Sequence, residues 1–128
     1  MTSVTQVANT GEPSALASAN IAALAKDSTD TNFQFLTKDG TTANKTDTGI
    51  AFTANGWYDV LVGSDPGSLT VYFRLVRVDT GAIYYGSKST NAPVTGSTLM
   101  PQCIGGLAAT TGTAFVLHTG TMGVVRIF

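Results

Sequence analysis

The amino-acid sequence predicts an all-β fold: an antiparallel β-sandwich of jelly-roll type behind an extended N-terminal arm. Three observations carry this. Turn signals containing Gly recur about every 8–12 residues, and the segments between them are short and rich in Val, Phe, Tyr and Thr. One segment, Leu69–Val78, alternates with the side-chain period of a strand: Leu69, Val71, Phe73 and Leu75 on one face, Thr70, Tyr72, Arg74 and Val76 on the other. Neither a heptad repeat nor a βαβ alternation competes with this pattern.

Residues 1–20 are small and polar and read as an arm; residues 21–128 read as the sandwich domain. A helix over Ser14–Lys26, started by Pro13, is the competing reading. Leu16, Ile21 and Leu24 match helical spacing only in part, so an arm leading into a strand near Ile21–Ala25 is preferred. Phe33 and Phe35 then alternate with Asn32 and Gln34, and Lys38-Asp39-Gly40 turns the chain. Thr46–Phe52 is extended around Asp47-Thr48-Gly49. Asn55-Gly56 is a tight-turn signal that opens the strand Trp57–Val62. Ser64-Asp65-Pro66-Gly67 turns into the alternating strand. Asp79-Thr80-Gly81 fits a three-residue hairpin loop returning into Ala82–Ser87, where Tyr84 and Tyr85 point to opposite faces. Lys88–Thr98 is the longest loop, and Leu99–Leu107, Thr113–His118 and Gly123–Phe128 complete the strands.

Composition narrows the function classes. The 128 residues suffice for one hydrophobic core. Charged residues make up only 12%, about half the usual share. Thr is the commonest residue at 21 copies, so the polar surface is mostly hydroxyl and amide, which neighbouring copies can bury at small desolvation cost. Net charge is −1 with no basic stripe, which argues against a nucleic-acid surface. The first basic residue is Lys26 and no apolar run reaches membrane length, so neither a signal peptide nor a membrane partner is expected. Cys103 lies in an apolar run and reads as a buried thiol.

Catalytic chemistry finds no foothold. A single histidine, His118, and a single cysteine build no multi-ligand metal site, and the chain has no nucleophile elbow and no phosphate loop. No enzyme activity, cofactor or metal is expected. Asp39, Asp47 and Asp79 each precede a turn Gly, where a carboxylate caps backbone N–H groups. Asp27 and Asp30 could contact a cation, but the run lacks the Gly and closing Glu of a calcium loop, so a hairpin turn is preferred. The aromatic set Trp57, Tyr58, Tyr72, Tyr84 and Tyr85 could stack on sugar rings; the competing reading is that Trp57 and half the tyrosines are core, since alternation requires that some point inward.

The stretches Asp27–Gly40 and Lys45–Phe52, the strands Trp57–Val62 and Val71–Val78 with the Asp79–Ala82 hairpin, and the segment from Leu99 onward resemble a β-rich domain of tailed-phage tail-fibre and other virion structural proteins. The resemblance implies a sandwich on the particle surface, usually a homotrimer, made in the host cytoplasm. With the low charge, it points to a capsid decoration (cement) protein whose partners are its own copies and the major capsid protein or other virion proteins. The alternative is a fibre or spike tip that binds a host glycan. The arm residues Val4, Val7 and Leu16, with Ile21, are the expected assembly contacts; Tyr72, Arg74, Tyr84 and Tyr85 are the expected ligand or partner face.

Overall fold

The computed structural model describes residues 12–94 apart from 54 and 66. Within them the chain is nearly all β. It forms β1 (Asn20–Ala25), β2 (Asn32–Asp39), β3 (Ala43–Ala51), β4 (Tyr58–Ser64), β5 (Val71–Arg77) and β6 (Ala82–Lys88). These make two antiparallel three-stranded sheets, β1-β2-β3 and β4-β5-β6. Each sheet is a meander of consecutive strands, and the interleaved order of a jelly roll does not occur among these six. The expected strands from Leu99 onward, together with Val4, Val7, Cys103 and His118, lie outside the described residues.

The competing helix reduces to one 3-10 turn, Pro13–Ala15, with proline at its first position. The chain then enters β1, which pairs with β2 from Asn20↔Asp39 to Ala25↔Gln34. The β2–β3 register breaks at Asp47-Thr48-Gly49: three residues of β2, Asn32 to Gln34, span five of β3, Asp47 to Ala51. Sequence chemistry explains this bulge. The Asp47 carboxylate accepts from Gly49 N at 2.6 Å, Thr48 Oγ1 donates to Phe33 O at 2.8 Å, and Gly49 takes φ +69°.

Asn55-Gly56 makes a tight turn, with Asn55 at φ +61° and Gly56 N donating to Thr53 O. It does not join neighbouring strands, however, because β3 and β4 belong to different sheets. A local turn signal fixes dihedrals; it does not say which strands lie side by side. Two further readings change. The hairpin pairs Arg77 with Ala82, so its loop also includes Val78 and has four residues, with Gly81 at φ +73°. Leu69, expected on the buried face, stands before β5 and is exposed.

One apolar cluster joins the sheets: Phe35 and Ile50 from the first, Val71, Phe73 and Leu75 from the second, and Ala92 from the segment after β6. The Phe35 and Phe73 rings stack at 4.4 Å. The outer sides of the two sheets differ. On β2, Gln34, Leu36 and Lys38 face away from the cluster, yet all three are buried. There the segment after Glu12 lies against the sheet, with Lys38 Nζ donating to Ser14 O at 3.1 Å. The outer side of β4-β5-β6 carries exposed apolar groups instead.

Candidate interaction face

Strand periodicity builds this face. Because Val71, Phe73 and Leu75 are buried, Tyr72, Arg74 and Val76 must point outward. Pairing then sets three outward rows across the sheet: Asp59–Val76–Ile83, Leu61–Arg74–Tyr85 and Gly63–Tyr72–Ser87. Leu61, Tyr72, Ile83 and Tyr85 are 52%, 45%, 53% and 67% exposed, a contiguous apolar set of the kind that marks an interaction surface. At its centre Arg74 donates to the Asp59 carboxylate at 3.0 Å across β4 and β5.

Of the four residues expected on the partner face, three meet there. Tyr84 does not. It is one residue out of phase with Tyr85, points inward and packs on Phe35 at 5.3 Å between ring centroids. Its ring lies over Gly86, where a Cβ would come within 2.8 Å of it. The aromatic set therefore does not gather at one exposed end. Tyr58 is also internal, with its ring edge-on to Phe33 at 4.9 Å. Trp57, expected among core residues, is 65% exposed. Leu16 ends the 3-10 turn and Ile21 pairs with Lys38, both half-buried. Sequence reasoning missed Asp59, Leu61 and Ile83. Counting from Tyr72 and Arg74 along the paired strands would have found them, but needs the register.

The acidic residues have local employment. The cation met by Asp27 and Asp30 is the chain's own Lys45, whose Nζ lies 2.9 Å from Asp27 and 2.6 Å from Asp30. Burial pushes the Asp27 carboxyl up, but the Ser14 hydroxyl and Lys45 outweigh it and hold it below the ordinary carboxylate value. Asp30 accepts from Asp27 N and Glu12 from Ser28 N, so this turn also fastens the N-terminal segment. Asp39 accepts from the Asn91 amide at 2.8 Å and from Thr41 N and Thr42 N, which together hold its carboxyl well below the usual range. Asp79 grips Arg77 with both oxygens.

A shallow cleft of about 360 Å³ lies where Asp39, Leu69, Asn91 and Val94 meet. Asp39, its one charged group, is already occupied by four donors. Among the described residues no cluster of three or more His, Cys, Asp or Glu could hold a metal ion, and no helix is long and apolar enough to cross a membrane. No family model, curated protein or solved structure matches the chain.

Proposed function

We propose that this protein is a non-enzymatic structural component of a tailed-phage particle, most simply a capsid decoration protein that sits on the head shell as a homotrimer. In this reading the two sheets are the halves of a β-sandwich, completed toward a jelly roll by the strands the sequence pattern places after Thr98. The supporting observation is the outer side of β4-β5-β6. It exposes Leu61, Tyr72, Ile83 and Tyr85 around one neutralised ion pair, on a chain with little charge to keep copies apart. Such a face suits burial against protein more than permanent exposure to water.

The N-terminal segment contributes the second contact of this reading: residues before Glu12 reach the shell or a neighbouring copy. The deletion that tests it must spare Ser14, because Ser14 holds Asp27 and Lys38 and covers the outer side of β2. Removal of residues 2–11 is expected to abolish binding to purified particles while the thermal transition stays in place. Particle binding that survives the deletion refutes the arm's role. Copy number in purified particles tests the location: hundreds of copies fit a shell protein, whereas a few dozen co-purifying with tails fit a fibre.

The exposed pair Tyr72 and Tyr85, flanking Arg74, also favours a second reading, a fibre or spike tip that stacks aromatic rings on a host glycan. Binding on a glycan array that disappears in Tyr85→Ala would establish it. Silence across a broad array would refute it.

A further inference from the structure

The outward face of β4-β5-β6 alternates large and small side chains from one row to the next. Its middle row projects two side chains, Leu61 and Tyr85, on either side of Arg74. The adjacent row has the two smallest side chains of the face, Gly63 and Ser87, on either side of Tyr72. Large groups in one row thus stand beside small ones in the next, in the same two strands; Leu61 itself leans toward its own Gly63, to within 3.9 Å of where a Cβ would lie.

We propose that this face is a two-fold docking surface for a second copy of the chain, with Leu61 and Tyr85 of each copy seated over Gly63 and Ser87 of the other. The inference rests on the reading that the protein assembles from its own copies. A two-fold axis in the contact plane, running across the strands between the two rows, exchanges them. Leu61 on β4 then meets the partner's Gly63, Tyr85 on β6 meets the partner's Ser87, and Arg74 on β5 meets the partner's Tyr72. Each contact occurs twice. Arg74 above a tyrosine ring is a favourable cation–π arrangement.

The charge pattern suits a second copy of this chain as the occupant. The face bears one cation and one anion, already joined at 3.0 Å, so two copies approach with no net charge between them. An acidic or basic partner would have to compete with that internal pair. The area sets the strength. Three strands of seven residues cover roughly 14 by 23 Å, a flat footprint of about 300 Å². That is well below the ~800 Å² per partner of a standard stable complex, so free copies pair weakly and transiently. Copies held next to each other on a particle pair far more readily, because the encounter is then intramolecular. If the protein is trimeric, the same contact links neighbouring trimers.

Sedimentation velocity of the full chain from 1 to 200 μM tests this. The expected result is a reversible, concentration-dependent shift to a two-fold species, a dimer or a pair of trimers. Leu61→Glu should weaken that shift more than tenfold without moving the thermal midpoint, since Leu61 is half exposed. Ser87→Trp is the decisive variant. It enlarges the apolar surface but fills the place that receives Tyr85, so it also should weaken pairing more than tenfold. Equal or stronger association by Ser87→Trp overturns the proposal, as does the absence of any two-fold species at 200 μM. Ser87→Trp protein that still decorates particles at full copy number, having lost pairing, supports the docking surface and leaves the shell reading standing. Pairing that persists in a chain lacking residues 2–11, while particle binding persists too, counts against the arm alone and supports the face.

Discussion

The Tyr58 hydroxyl donates to the Ala51 carbonyl at 3.0 Å, so the first residue of β4 closes on the last residue of β3. The same oxygen accepts from Thr53 N at 2.9 Å, and Gly56 passes so near that a Cβ there would lie 2.7 Å from it. One phenol therefore pins the passage between the sheets. Tyr58→Phe keeps the ring against Phe33 but leaves Thr53 N and Ala51 O without their partner. The expected cost is about 1–2 kcal/mol in urea denaturation. A loss below ~0.3 kcal/mol would mean that water replaces the hydroxyl.

Asp27 ties the N-terminal segment to the sheet through Ser14 and Lys45. Asp27→Ala should cost about 1–3 kcal/mol and open the chain to protease cleavage near Ser14. The pH sign follows from its lowered carboxyl. A depressed carboxylate contributes stability that is present above its unfolded value near 3.8 and is lost as pH falls through the folded value. The wild-type chain should therefore lose stability below about pH 4 more steeply than Asp27→Ala. Parallel acid limbs would show that the contact contributes nothing.

Lys88 runs in the opposite sense. It ends β6 and reaches inward to donate to Phe35 O and Asn44 O, and burial pushes its ammonium down to about 8. The unfolded chain holds that proton up to about 10.5, so unfolding takes up a proton between these values and stability rises with pH across that window. Lys88→Met should be as stable as wild type or more so at pH 7, and should lack this rise. Denaturation midpoints at pH 7.5 and 9.5 for both proteins check it.

Gly86 gives the Tyr84 ring its place over β6. Gly86→Ala should push that ring off Phe35 and cost about 1–3 kcal/mol. In a Tyr84→Ala background the same change should cost far less, because the clash has gone. Additive effects in the double-mutant cycle would show that the two residues act independently.

Much of this architecture is readable from the chain, and the misreadings have physical causes. The alternation from Val71 onward gave the correct faces, since a strand period of two leaves no other choice. Asp39 and Asp47 cap turns as their spacing before Gly suggests. Tyr84 is absent from the partner face for a reason of parity: two adjacent tyrosines in a strand cannot share a face, and Tyr84 is the inward one. Trp57 reads as core if strand alternation extends to it, but it lies just before β4 begins, where no inward face exists. Lys38, Lys45 and Lys88 look like solvated charges in sequence. Their contacts with Ser14 O, Asp27 and Phe35 O span 18 to 53 residues and emerge only from the pairing of distant strands. The outward rows are of the same kind: each member is visible in the sequence, but the rows exist only once the register is known.

Because each sheet is a meander, each is written in one uninterrupted stretch, 20–51 and then 58–88. A ribosome therefore releases β1-β2-β3 complete before β4 begins to emerge. At about 5–20 residues per second, several seconds pass before β6 follows. During that interval Phe35 and Ile50 have no opposing layer, while Ser14 already holds Lys38 on the other side of β2. The nascent sheet thus waits with one side sealed and one side sticky, and the Tyr58 passage aims the next sheet at the sticky side.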